Sequence, residues 1–313
     1  NIDTTYAAKL GAEGLKARLE AIQREAQQAV ERGENIIILS DRKTDVDHIP
    51  LPSLLATSAV HHHLVREGLR TSVGLVVETG EAREIHHFAV LAGYGAEAIN
   101  PWLAFQTLSD MHPGASPAEE QKLYANYIKA IGKGLRKVMS KMGISTLQGY
   151  QGAQIFSAIG LGASVMETYF PGTPVYLGGV ELATLELAIR RHHQRAFGLG
   201  VIACQGLTEG GELQWRRHGQ RHVWHPFSLA KFQQAARGND YQAYQAFAKN
   251  QQQLNQQGLQ LSGCLQFKSR PAQAISLDQV EDVDKIMSRF FTGSMSFGAL
   301  SQEAHEALAV AMH

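Results

Sequence analysis

Asn35-Ile36-Ile37-Ile38-Leu39-Ser40-Asp41 is the stretch that decides the fold. Three consecutive isoleucines and a leucine read as a strand buried on both faces, and Ser40-Asp41 marks its C-terminal end. Before it, Leu15, Leu19, Ile22, Ala26 and Val30 recur at helical spacing, and Gly33 stops that helix. After it, Pro50 and Pro52 punctuate a loop, and Ser53 opens a helix that runs to about Glu67 and ends at Gly68. Thr71 to Val77 predicts the next strand, ending at Glu78. Glu81 to Leu91 predicts the next helix, and Ala96 to Asn100 a third strand. Strands alternating with helices predict an α/β fold with a parallel sheet.

Further along, Ser116-Pro117 with Glu119 and Glu120 is a helix start: Ser caps, Pro takes the first helical position, and the acids suit the positive end of the dipole. Tyr124, Ile128, Ile131, Leu135, Val138 and Met142 form the apolar stripe of this long helix. Gly143 to Thr146 reads as another short strand, and Gly149 to Ala158 and Leu182 to Phe197 read as helices. Tyr241, Tyr244, Phe247, Ala248 and Leu254 mark one more helical face beside a Gln-rich solvated side. Residues 268–276 read as a linker, after which Phe290 to Ser296 restarts the strand-then-helix rhythm.

The 313 residues carry 29 Lys and Arg against 29 Asp and Glu, so there is no basic excess to neutralise nucleic-acid phosphates in bulk. Two cysteines, Cys204 and Cys264, exclude a disulfide scaffold and an iron–sulfur cluster held by this chain alone. No apolar run is long enough to span a membrane, which leads us to expect a cytoplasmic protein. The chain starts at Asn1 and stops inside a helical pattern at His313, so it reads as a segment of something longer.

Chemistry-bearing residues are few. His61-His62-His63, His86-His87, His192-His193, His218, His222 and His225 invite a metal reading. Adjacent residues on a helix diverge by about 100°, and no zinc-protease signature occurs. Satisfied or solvated histidines, with no metal, are the simpler reading. The glycine pairs at 93/95, 160/162 and 198/200 complete no dinucleotide fingerprint. Cys204 reads as a buried strand residue. Asp41, Glu78, Asn100 and Ser145 each follow an expected strand, where parallel sheets bind ligands. They define an alternative: a stand-alone small-molecule module using the sheet's carboxyl edge.

Several stretches together resemble one family. They are Gly80 to Phe88, Gly93 to Pro101, Lys137 to Leu147, Gly152 to Phe156, and Phe291-Thr292-Gly293-Ser294-Met295-Ser296-Phe297-Gly298 followed by Ser301 and Glu303-Ala304-His305. In this order they resemble the large subunit of glutamate synthase. The resemblance implies that residues 1–275 are the central domain, akin to a rudimentary (β/α) barrel. It implies that residues 276–313 are the truncated start, the first strand–helix unit, of an FMN-binding (β/α)8 barrel. In that family an amidotransferase domain releases ammonia, and the barrel combines it with 2-oxoglutarate to give glutamate. The implied partners are the chain's own amidotransferase and barrel domains and, in some enzymes, a small NADPH-oxidising subunit. FMN and an iron–sulfur cluster would belong to the whole enzyme, with no cofactor for this piece. By match, Met295, Ser296 and Phe297 would approach FMN in the complete enzyme, and no residue here would be catalytic. The amidotransferase needs an N-terminal Cys, and residue 1 is Asn. The family commonly carries Arg where this chain has Gln151, which removes a charge and its guanidinium fork.

Overall fold

The computed structural model describes residues 1–198, 210–268 and 274–313. The chain divides into two compact units, residues 1–204 and 205–313.

In the first unit the isoleucine run forms β3 (Ile36–Ser40) at the centre of a parallel sheet. Its neighbours are β1 (Ile2–Asp3) on one side and β5 (Gly74–Glu78) on the other, and β6 (Ala98–Asn100) completes the order β1-β3-β5-β6. Ile37 pairs with Leu75 and Leu39 with Val77, and all four are buried to 2% exposure or less. Strands in sequence order leave no switch point of the kind that opens a crevice in doubly wound sheets. A second, antiparallel pair joins β2 (Thr5–Ala7) to β4 (His48–Pro50).

Helix α1 (Gly11–Glu31) covers this core with Leu15, Leu19, Ile22, Ala26 and Ala29, while Val30 packs at the margin. Helix α2 (Ser53–Arg66) adds Leu55, Ala56, Ala59, Val60 and Leu64. Helix α3 (Ile85–Gly93) starts four residues later than the periodicity suggests. Glu84 closes a capping box with His87 there. Pro101 does not break the chain's helicity but caps α4 (Trp102–Asp110), since a proline beside a helix start loses no bond. Helix α5 (Pro117–Met142) begins with the expected Ser116–Glu119 capping box. Only Ile131 and Gly134 of α5 are buried, and Ile128 and Met142 remain exposed. Gly134 is needed where α5 crosses α3, because a Cβ there would lie 2.4 Å from Ile85 Cδ1.

Residues 143–146 are not a strand. Gly143 ends α5 in the left-handed conformation (φ 71°), and the Thr146 hydroxyl caps α6 (Leu147–Tyr150). Helix α6 stops after one turn, where 149–158 reads as a longer helix in sequence. Gly152 and Gln154, at φ 69° and 52°, turn the backbone out of it. The chain then forms a second parallel pair, β7 (Ala158–Leu161) and β8 (Val175–Val180), joined through α7 (Ala163–Tyr169). Helix α8 (Leu182–Phe197) returns as expected. Buried Glu186 fastens it, accepting from Tyr6 Oη (3.3 Å) and Arg190 Nε (2.9 Å), and Arg190 reaches the Ala8 carbonyl (2.6 Å).

In the second unit, α9 (Pro226–Gly238) and α10 (Tyr241–Gln256) form a helical hairpin. Asn239 makes the turn in the left-handed conformation (φ 46°). Ser228 is fully buried and bonds the Val223 carbonyl and Asn250, each at 3.0 Å. Two short segments follow, α11 (Val283–Met287) and α12 (Gln302–Met312). The strand expected over 290–296 is not formed, and every described residue from 274 to 313 is at least partly exposed. Without neighbouring strands its amides and carbonyls have no ladder to join. Among the described residues, no helix is long and apolar enough to cross a membrane.

Leu19→Ala, at a fully buried site, lowers stability by about 2–5 kcal/mol, read from the midpoint of urea denaturation followed by circular dichroism. A loss no greater than that of an exposed α1 control such as Lys16→Ala contradicts the assigned core face.

Candidate functional site

The carboxyl ends of β3, β5 and β6 bring three of the four expected residues together. Asp41 is 4% exposed. Its carboxylate accepts from Trp102 Nε1 at 2.6 Å, from Thr79 Oγ1 at 2.9 Å and from the Gly80 amide at 2.8 Å. Its own carbonyl accepts from the Thr44 amide and hydroxyl. Glu78 accepts from Ser40 Oγ at 2.6 Å, Arg42 Nε at 2.7 Å and Asn100 Nδ2 at 3.1 Å. The Arg42 guanidinium lies 5.2 Å from the centre of the Trp102 ring, so a cation–π contact joins the two halves of the cluster. Ser145 is elsewhere, in the turn between α5 and α6, and no hydrogen bond links it to this group.

Sequence reading missed Arg42, Thr79 and Trp102. The signal for Trp102 was its place directly after the third strand and Pro101, where an indole N–H can reach back along the sheet edge. Burial raises the Glu78 pKa, but the bonds from Ser40 and Arg42, the Arg42 charge and the Asn100 bond outweigh it and hold the carboxyl below its ordinary value. The arrangement is electrostatically closed. Each carboxylate has its oxygens occupied by neighbouring donors, which leaves no free base poised over a cleft.

Several histidines are satisfied by neighbouring groups. His63 Nε2 bonds Gln27 Oε1 at 3.0 Å, His193 Nε2 donates to the Asp45 carbonyl at 2.7 Å, and His225 bonds Asn250 at 3.1 Å. His61 Nδ1 accepts from Arg70 Nε at 3.0 Å. Burial, with the charges of His62 and Arg70, pushes His61 down to about 4. His62 Nε2 is buried without a hydrogen-bond partner. Among the described residues, no group of three or more His, Cys, Asp or Glu side chains is placed to hold a metal ion. Cys204 lies outside the described residues, and Cys264 is an exposed free thiol. Gln151, at the position where a charge was expected, donates to the Ala96 carbonyl at 3.2 Å, a bond that needs no charge.

Met295, Ser296 and Phe297 sit in an exposed irregular segment ahead of α12. Ser296 Oγ accepts the Gly298 amide at 3.1 Å, and His305 Nε2 donates to the Met295 carbonyl at 3.2 Å. The Phe297 and His305 rings meet edge to face at 6.0 Å. A flavin needs an enclosed ring face and donors for its phosphate. By themselves these solvent-facing residues do not fit one.

Comparison with known proteins supplies what the local geometry does not. Residues 1–162 match the glutamate synthase central domain, and residues 222–313 match a conserved region in glutamate synthase. The chain belongs to the glutamate synthase family. It is 42% identical over 305 residues to the glutamate synthase [NADPH] large chain of Bacillus subtilis, covering 97% of this chain and 20% of that one. It is 40% identical to the glutamate synthase [NADH] of Schizosaccharomyces pombe and 38% identical to the ferredoxin-dependent glutamate synthase of Pyropia yezoensis. Each match covers all of this chain, but only 15% and 21% of the relative. The chain thus spans about a fifth or less of the relatives it matches.

Two variants test the closed edge. Asp41→Asn places an amide among donors and costs about 2–4 kcal/mol in chemical denaturation, with loss of the native Trp fluorescence position. A loss below that of a surface variant sinks this reading. For Glu78 the folded pKa lies below the ordinary value of 4.5. Its stabilisation is therefore present above that value and is lost as pH falls through the lower folded one. Glu78→Gln flattens the acid limb of the stability–pH curve, and an unchanged limb contradicts the assignment.

Proposed function

We propose that this chain is the connecting region of a cytoplasmic glutamate synthase, with residues 1–275 as the central domain and 276–313 as the opening of the FMN-binding barrel. In this reading the whole enzyme is an oxidoreductase that forms L-glutamate from 2-oxoglutarate and glutamine-derived ammonia, using FMN and an iron–sulfur cluster held outside this region. The connecting region carries geometry. It spaces the amidotransferase and synthase domains, helps wall the ammonia path between them, and is inactive alone.

The observation that carries the proposal is the order of the two family matches along one chain. Three features support it. The strand order β1-β3-β5-β6, followed by the β7–α7–β8 unit, suits a rudimentary (β/α) barrel. The carboxylates at the sheet edge are fully engaged with neighbours, which suits a scaffold and removes the motive for a stand-alone module binding at that edge. Relatives named for NADPH, NADH and ferredoxin match at 42%, 40% and 38% identity. A region shared so evenly does not choose the electron donor, and a small NADPH-oxidising subunit would dock elsewhere.

Flavin titration tests the assignment. Increasing FMN added to the 313-residue chain gives no saturable quenching of flavin fluorescence and no glutamate formation from 2-oxoglutarate and ammonia. Stoichiometric binding accompanied by turnover overturns it.

A further inference from the structure

The first unit contains a cavity of about 380 Å³ at the end of the sheet opposite Asp41 and Glu78. It lies where α2 and α3 finish, against the loop after α6 and the turn before β8. His61 and His62 form one wall, and Tyr94 and Phe156 form another. The two aromatic rings are nearly parallel, 24° apart with centres separated by 6.0 Å. Phe156 is held in place because α3 ends in Gly93, where a Cβ would come within 2.5 Å of its ring. The Tyr94 hydroxyl is anchored to Thr173 Oγ1 at 2.7 Å, so the second ring is fixed as well.

Three features of this cavity go beyond ordinary packing. No Asp, Glu, Lys or Arg side chain lines it. Its rim carries Gln154 in the left-handed conformation (φ 52°), a strained backbone state for a non-glycine residue. One wall is His61, whose Nδ1 is occupied by the Arg70 guanidinium at 3.0 Å. Burial and the Arg66 charge lower the His62 pKa, and His61 is lowered as well, so both rings are neutral at physiological pH. Because His61 Nδ1 accepts from Arg70, its proton sits on Nε2 and makes that nitrogen a donor.

We propose that this cavity binds an uncharged, flat heteroaromatic molecule of about two fused rings. Its face would lie against the Tyr94–Phe156 pair, and its ring nitrogen would accept from His61 Nε2. Stacking against fixed aromatic rings rewards a planar ligand. Neutral imidazoles and the absence of charged lining disfavour an ion. The volume lies within the range of small-molecule sites. The site needs no flavin and no amidotransferase, so it stands or falls apart from the proposed function.

Nuclear magnetic resonance on the full 313-residue chain tests this, with indole as a ring that donates and isoquinoline as one that accepts. At least one probe at millimolar concentration shifts the ring signals of His61, His62, Tyr94 and Phe156 together and saturably. Val65 lines the cavity from a half-exposed position, so Val65→Trp fills the space without entering the core. It weakens binding at least tenfold. Should that variant fail to fold by circular dichroism, Val65→Phe takes its place. His61→Phe keeps the aromatic wall but removes the donor nitrogen, and it weakens the preferred probe severalfold. Absence of saturable shifts with both probes, or undiminished binding in a folded Val65→Trp or Val65→Phe chain, overturns the proposal. So does a folded His61→Phe chain that binds as well as the original.

Discussion

The first unit depends on one buried carboxylate. Asp41 is the point where three elements are tied: its oxygens receive donors from the end of β5, through Thr79 and Gly80, and from the start of α4, through Trp102. A negative group at 4% exposure is stable only when its lone pairs are filled, and here they are. The same demand orders the neighbourhood. Glu78 is drawn into a parallel set of bonds with Ser40, Arg42 and Asn100, and Arg42 lies over the Trp102 ring. The carboxyl edge of the sheet is therefore a fastening rather than an opening.

The central strands and the main helices were legible in the sequence because their signals are local. Ile36 to Leu39 reads as a strand, though only Ile37 and Leu39 are fully buried and Ile36 is exposed, and Ser116-Pro117 with Glu119 specifies a helix start whatever surrounds it. Of the strands of two or three residues, β6 was legible, but β1, β2 and β4 were not. Ile2–Asp3 and His48–Pro50 are strands only because a neighbour offers a ladder. Gly143 to Thr146 misled for the opposite reason: its β-branched residues suggest a strand, but Gly143 and Thr146 are needed as caps on either side. β8 was hidden by Gly178 and Gly179, which lower the apparent strand preference of an otherwise apolar run.

The site was legible by position and not by partner. Asp41, Glu78 and Asn100 could be placed at strand ends by counting, yet what they bond to is set by sheet register, with Ser40 beside Glu78 and Glu78 beside Asn100. Register is not written in any one segment. Ser145 failed because its strand failed. Residues 290–296 show the same dependence from the other side: a sequence with strand character stays irregular where no partner strand is within reach. The relatives are about five times longer or more.

The account's central claim is that the sheet edge is sealed from within by Asp41. Native-state hydrogen exchange of the Trp102 indole N–H and the Gly80 amide measures this most directly, because both protons lie in bonds to that carboxylate. The account predicts that both exchange only through unfolding of the first unit, at the rate of the β3 and β5 amides. Exchange of the indole proton at the rate of a solvent-exposed tryptophan, while those strand amides stay protected, would contradict it.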